Sequence, residues 1–414
     1  MKVIAFITEY NPFHNGHKYH LERSLALTNA THTIAVMSGS FVQRGEPSFV
    51  DKWTKAKMAI ENGIDLVIEL PFIYSCQSAE LFAYGAINII NSLNVVKNIS
   101  FGSESNNIDI LSEIAKVLLE EPIEFKEILK KYLSQGLSFP KSRSLAIKDY
   151  FENILLQDFN NYENILKQSN NILAIEYLKA LYILNSDIQP ITIKRLGPDY
   201  KEKEITKGFA SATGIRNHIL KGGIHSIKNY VPQPSYKLLK EYKDKYKNFN
   251  SIENYDRIIN YLIITSKNDK LKSLLDVDRG LANRIKQQGE KYNDIRALID
   301  NISTKRYPKT RIQRILMHLL NDLNKNTIKE LYKAQAPYIR ILGSNKKGFE
   351  ILREIKEKSD IPIINRFSDY KKYNNPVIDK FIYYEEKATD IYFMGLNLDI
   401  PLVKMDYKTS QYIK

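Results

Sequence analysis

The chain has 414 residues, 48.1 kDa, a net charge of +14 and one cysteine, with 43% hydrophobic content. That length suits two or three domains. No run of 18 apolar residues exists to span a membrane, the opening residues do not read as a signal peptide, and a lone Cys76 excludes an intramolecular disulfide and fits a reducing cytoplasm. The charge is unevenly spread. Residues 1–225 hold 24 Lys and Arg against 24 Asp and Glu, so the whole excess lies in 226–414, and 301–350 alone holds 11 basic and 3 acidic residues. A neutral front and a basic back predict a catalytic domain over 1–225 and a polyanion-binding domain over 226–414. A Lys-rich solvated surface is the alternative.

Val3-Ile4-Ala5-Phe6-Ile7 reads as a strand buried on both faces, as in a parallel sheet. Asn11-Pro12 marks a turn, and Gly16 allows the backbone close to a ligand. Apolar positions from Tyr19 to Leu27 predict a helix after His17. His14-Asn15-Gly16-His17 thus falls at a helix N-terminus, where free N–H groups favour phosphate and two histidines can donate hydrogen bonds to its oxygens. His14, His17 and His20 are also spaced closely enough for a metal, but with no cysteine nearby phosphate is the preferred ligand.

Thr33–Met37 predicts a second buried strand, so that strand, helix and strand make a βαβ unit with ligands at the strands' carboxyl ends. The loop 38–47 lies at that end and carries Arg44, an anion clamp by its chemistry. Further along, 51–62 predicts a helix capped by Asp51, 65–71 a third strand, 77–92 a helix and 95–101 a fourth strand running into Gly102. A helical insertion is expected over 106–168, a helix opened by Ser169-Asn170-Asn171, and a short strand at 191–194 leading into Arg195. Ser211-Ala212-Thr213 predicts a helix start, with Arg216 three residues on.

His-x-Gly-His after a first strand resembles the signature of the nucleotidylyltransferase superfamily, and Ser-x-Thr-x-x-Arg its second. More narrowly, the chain resembles the bacterial tRNA(Met) cytidine acetate ligases. The likeness rests on 9–17 (Glu-Tyr-Asn-Pro-Phe-His-Asn-Gly-His), 37–47, 65–71, 101–104, 170–173, Lys194-Arg195, 210–216 and 338–343. It implies a Rossmann-like parallel-sheet α/β domain with a helical insertion, followed by a mainly helical basic domain.

The implied reaction joins acetate to the α-phosphate of ATP and then passes acetyl to the wobble cytidine of elongator tRNA(Met), giving N4-acetylcytidine. The implied ATP site is Ile7, Thr8, Glu9, Tyr10, Asn11, Pro12, Phe13, His14, Asn15, Gly16, His17, Lys18, Tyr19, His20, Gly102, Asn170, Arg195 and Leu196, joined by Ser211, Thr213 and Arg216. Asn170 is preferred to Asn171 by its spacing to Arg195. His14, His17 and Arg44 are the expected catalytic residues. Lys305, Arg306, Arg311, Arg314 and Arg340 are expected to meet tRNA. Magnesium is expected as the ATP counterion, with no dedicated metal cage and no prosthetic group. Two other readings are a nucleotidylyltransferase acting on a phosphorylated metabolite and an RNA-binding protein without catalysis.

Overall fold

A computed structural model of the chain describes residues 1–156, 164–195, 208–334 and 336–414. The strands, in chain order, are β1 (Val3–Thr8), β2 (His32–Ser38), β3 (Phe41–Val42), β4 (Glu46–Pro47), β5 (Leu66–Leu70), β6 (Val96–Ser103), β7 (Gln189–Lys194), β8 (Ile339–Ser344), β9 (Ile363–Ile364) and β10 (Tyr412–Ile413). Among the described residues one eight-stranded sheet runs β10-β8-β5-β2-β1-β6-β7, with β9 beside β8. β1, β2, β5, β6 and β7 pair in parallel. The continuous apolar runs of β1, β2 and β5 follow from burial on both faces: Val3, Ile4, Ala5, Ile34, Ala35, Val36, Leu66, Val67 and Ile68 are wholly excluded from solvent.

The helices used below are α1 (Asn15–Thr28), α2 (Lys52–Glu61), α3 (Ser169–Ile183), α4 (Ala212–Gly222), α5 (Lys309–Leu320) and α6 (Pro376–Met394). The expected insertion is three helices, Ile108–Glu120, Ile123–Ser134 and Phe139–Asn153. α1 begins at Asn15, three residues earlier than a start after His17, because the His14 ring caps it. The Asp51 cap of α2 is as expected, its Oδ1 accepting the Thr54 N–H at 2.7 Å.

The division at 225/226 does not follow the sheet. Residues 226–334 are helical, but β8 returns to the sheet antiparallel to β5, and β10 pairs parallel with β8. The back half therefore completes the sheet of the front half. The tRNA-contact role read for Arg340 also fails here. Arg340 lies in β8 with 3% of its surface exposed, and its Nη1 sits 2.9 Å from Glu69 Oε2 and 2.6 Å from Asp406 Oδ1. A guanidinium this deeply buried and held between two carboxylates is not presented to an RNA phosphate.

Those carboxylates belong to a buried charge cluster. Lys52 Nζ lies 2.7 Å from Glu69, 2.8 Å from Asp406 and 3.2 Å from Glu385. Glu385 Oε2 also accepts the Phe72 N–H at 2.7 Å. Burial, then the Glu69 charge, pushes the Glu385 carboxyl up to about 8. A raised Glu385 carboxyl lessens the excess of negative charge that three carboxylates would otherwise place against the two cations.

Candidate active site

In a sheet of this kind ligands bind beyond the carboxyl ends of the strands, where chain connections leave in opposite directions. Here that crevice is at β1 and β6, since β2 and β5 lie to one side of β1 and β6 and β7 to the other. The first motif sits at the end of β1. His14 is the N-cap of α1, its Nδ1 accepting the Gly16 N–H at 3.1 Å, while His17 Nδ1 accepts the His14 N–H at 3.2 Å. The two rings stack with centroids 3.7 Å apart. An Nδ1 that accepts leaves the proton of a neutral imidazole on Nε2, so each ring keeps an Nε2–H donor. Burial, then the Arg195 charge, takes His14 down to about 3; burial, then the charges of His14, Arg195 and His20, takes His17 well below its ordinary value. Both are neutral donors at pH 7.

The rest of the turn is shaped by packing. Tyr10 holds a left-handed backbone (φ 44°), with its ring against Phe13 and His17. Pro12 and Phe13 are buried. Thr8 Oγ1 is buried at the end of β1 and Ile7 is half-buried beside it. Glu9 Oε1 accepts the Gln43 N–H at 2.8 Å and Asn11 Oδ1 accepts the Phe49 N–H at 2.7 Å, tying this turn to the loop that carries Arg44. Lys55 pins the same loop, donating to the carbonyls of Ser38 and Gly39 at 2.7 and 2.9 Å. Arg44 itself is exposed at the tip of the β3–β4 hairpin. Lys18 is exposed and lies 4.0 Å from Glu22, and Tyr19 meets Phe209 edge-on. His20 is spent elsewhere, its Nε2 being 2.8 Å from Ser100 Oγ.

The second motif is brought onto the first. Asn15 Nδ2 donates to the carbonyls of Gly208 and Asn229, both at 2.9 Å. Ser211 caps α4 by accepting the Gly214 N–H at 3.1 Å. Arg216 then reaches back to the first turn, donating to the Asn11 carbonyl at 3.1 Å and to Thr213 Oγ1 and Glu46 Oε2 at 3.3 Å. Two helix N-termini, two imidazole donors and Arg216 thus converge on one place, a setting for a polyphosphate.

At the β6 edge Gly102 admits Arg195: a Cβ there would stand 2.9 Å from Arg195 Cγ. The two asparagines differ in their surroundings. Asn171 is fully buried, and its Oδ1 accepts the N–H groups of Glu104 and Ser105 at 3.0 and 3.1 Å. Asn170 is half-buried and donates to Glu104 Oε1 at 2.6 Å. Asn171→Ala is therefore expected to cost about 1–3 kcal/mol of stability by orphaning buried N–H groups, whereas Asn170→Ala should leave the unfolding midpoint in place and raise KM for ATP. Denaturation curves alongside ATP titrations check this; a raised KM for ATP with an unmoved midpoint in Asn171→Ala would reverse the assignment. Leu196 lies outside the described residues.

Four residues escaped the sequence reading: Glu46, Lys55, Glu104 and Gln313. Glu46 Oε1 accepts the Gln313 amide at 2.9 Å and lies 3.8 Å from Arg296, while its Oε2 holds Arg216. Gly45 (φ 78°) presses the hairpin onto α5, where a Cβ would come within 2.3 Å of the Arg314 nitrogen. The basic helix of the back half therefore lies directly against the hairpin of the phosphate turn. Glu46 and Glu104 fall within the matching stretches 37–47 and 101–104, the one signal the sequence offered for these residues.

A model of the family HIGH Nucleotidyl Transferase matches residues 1–402. Proteins called tRNA(Met) cytidine acetate ligase, from Thermoanaerobacter sp. strain X514 and Clostridium perfringens strain ATCC 13124, are each 44% identical, the first over 98% of this chain and the second over 100%, and both over their whole length. The chain belongs to the tRNA(Met) cytidine acetate ligase family. A crystal structure of Thermotoga maritima TmcAL bound with alpha-thio ATP superposes with a TM-score of 0.93 at 32% identity, covering 100% of this chain and 99% of that one. The ligase family's fold is thus shared from end to end, back half included. Among the described residues no helix is long and apolar enough to cross a membrane.

The buried histidines set a pH dependence of stability. Burial takes His20 and His318 down to about 4, and His14 to about 3. A histidine with a lowered folded pKa takes up its proton on unfolding, so its contribution is complete above about 6.5 and is lost as pH falls through the folded value. Glu385, raised to about 8, acts in the opposite sense but supplies one proton against those of His14, His17, His20 and His318. Stability is therefore expected to fall between pH 6.5 and 4. Urea midpoints across that range test it, and a midpoint rising on acidification would contradict the placement of these rings.

Proposed function

We propose that the chain activates acetate with ATP and passes the acetyl group to the wobble cytidine of elongator tRNA(Met). The observation that carries this is the convergence of His14, His17 and Arg216 at the end of β1, with the basic helix α5 packed against the same hairpin. In the first step an acetate oxygen attacks the α-phosphorus and the bond to pyrophosphate breaks. Acetate is an anion at pH 7 and needs no general base. It offers almost no binding energy, so rate comes from holding it in line with the phosphate. The Nε2–H groups of His14 and His17 donate to oxygens that gain charge in the transition state. Arg216 grips the outer phosphates, and Arg44 at the hairpin tip clamps the anions from above. Magnesium accompanies ATP as its counterion.

In the second step the exocyclic amine of the cytidine attacks the acetyl carbonyl, AMP leaves and the amine sheds a proton. The base must leave its stack to reach the adenylate, as loop bases do when proteins read them. Lys305, Arg306, Arg311 and Arg314 lie on or beside the N-terminal half of α5 and are at least partly accessible, the side from which the RNA approaches. An enzyme of ATP and tRNA works in the cytoplasm. The experiment is isotope exchange between pyrophosphate and ATP, with and without acetate, followed by acetyl transfer to tRNA(Met) transcript. Acetate-dependent exchange and acetylated cytidine are expected. Exchange that ignores acetate, or that requires a phosphorylated metabolite, would overturn the proposal.

A further inference from the structure

The loop before α5 carries a stacked arrangement that simple phosphate binding does not require. The guanidinium carbons of Arg306 and Arg311 each lie 5.3 Å from the centre of the Tyr307 ring. Asp278 fixes the group from one side: its Oδ2 accepts the Tyr307 hydroxyl at 2.9 Å and Arg306 Nη2 at 3.2 Å, while its Oδ1 caps the following helix. Arg311 Nη2 donates to the Asp276 carbonyl at 2.6 Å. Both guanidinium groups are thus gathered round one aromatic ring, and Arg306 keeps 77% of its side chain open to solvent. A delocalised, weakly hydrated guanidinium plane laid on an aromatic ring is a surface on which a nucleobase stacks.

Position gives this group its partner. Arg311 and Arg314 are one turn apart on α5, a rise of about 4.5 Å, and the Arg314 backbone touches the hairpin that carries Arg44. Arg311, Tyr307 and Arg306 follow at the N-terminal end of that helix and in the loop before it. The geometry points to Arg306, Tyr307 and Arg311 as a stacking platform for an unpaired RNA base neighbouring the acceptor cytidine. The inference rests on the tRNA reading above. The base splayed out for acetylation leaves its neighbour without a stacking partner, and the platform supplies one. Because every base has a π-face, the platform grips without choosing sequence.

The test separates a plane from a charge. The full chain is titrated with the anticodon stem-loop of elongator tRNA(Met) carrying 2-aminopurine next to the wobble cytidine. With the parent chain, binding should weaken with salt and quench the probe. Arg306→Lys keeps the charge and loses the plane; it should bind about five- to a hundredfold more weakly, with less quenching and the parent's salt slope. Tyr307→Leu should behave alike. Arg306→Lys binding and quenching like the parent would overturn the platform while leaving the tRNA reading intact. A parent that binds no stem-loop would overturn the tRNA reading itself, and the platform with it.

Discussion

Replacing His17 with Ala is expected to slow acetate-dependent pyrophosphate exchange by two to three decades, and His14 should behave likewise. Each ring has Nδ1 committed to a backbone N–H, so Nε2–H is the donor left for a phosphate oxygen. Losing one such donor at a developing charge costs on the order of 3–4 kcal/mol. His14 also caps α1, and a lost cap costs about 1 kcal/mol, so its rate and its stability must be told apart. His14→Asn restores an N-cap side chain without an imidazole; it should keep the parent's unfolding midpoint and still lose exchange. Parent-like exchange in either alanine variant would remove these rings from the chemistry.

Lys52→Met is expected to be the most destabilising single change in the chain, by about 3–5 kcal/mol, since it leaves buried carboxylates without their shared cation. Lys52 is wholly buried and stands within 3.2 Å of Glu69, Glu385 and Asp406. Arg340 alone would then face two ionised carboxylates, driving one of them to take up a proton. The expected reading is a lowered denaturation midpoint that recovers partly in the double variant Lys52→Met, Asp406→Asn. An unmoved midpoint would mean that the cluster is not sealed from water.

The parallel strands and the His14–His17 turn at the end of β1 were legible because they are local. A strand buried on both faces is a continuous apolar run, and β1, β2 and β5 show one. The two motifs needed only their order along the chain. What misled was charge read without depth. Arg340 sits in Tyr-Ile-Arg-Ile-Leu-Gly, and a lone cation in such a run signals a buried ion pair as readily as a phosphate contact. Its partners, Glu69 and Asp406, lie 271 and 66 residues away, beyond the reach of any local pattern. The pairing of β8 with β5 was out of reach for the same reason, since it spans the whole helical stretch between them. Lys55 and Glu46 look like ordinary solvated residues until the loop they hold is seen.

The order in which the molecule is made has to accommodate that cluster. Lys52 and Glu69 leave the ribosome early, whereas Arg340, Glu385 and Asp406 come from the last fifth of the chain. At about 5–20 residues per second, translation separates Lys52 from Asp406 by some tens of seconds. During that interval β5 has no neighbour on its outer side and α2 carries an ammonium group with an incomplete set of counter-charges. The parallel part of the sheet therefore cannot close its own core as it emerges, and waits for β8 and β10. A nascent chain stalled before residue 339 should remain open to protease in the region of β5 and α2, and become resistant once the final strand, β10, has left the tunnel.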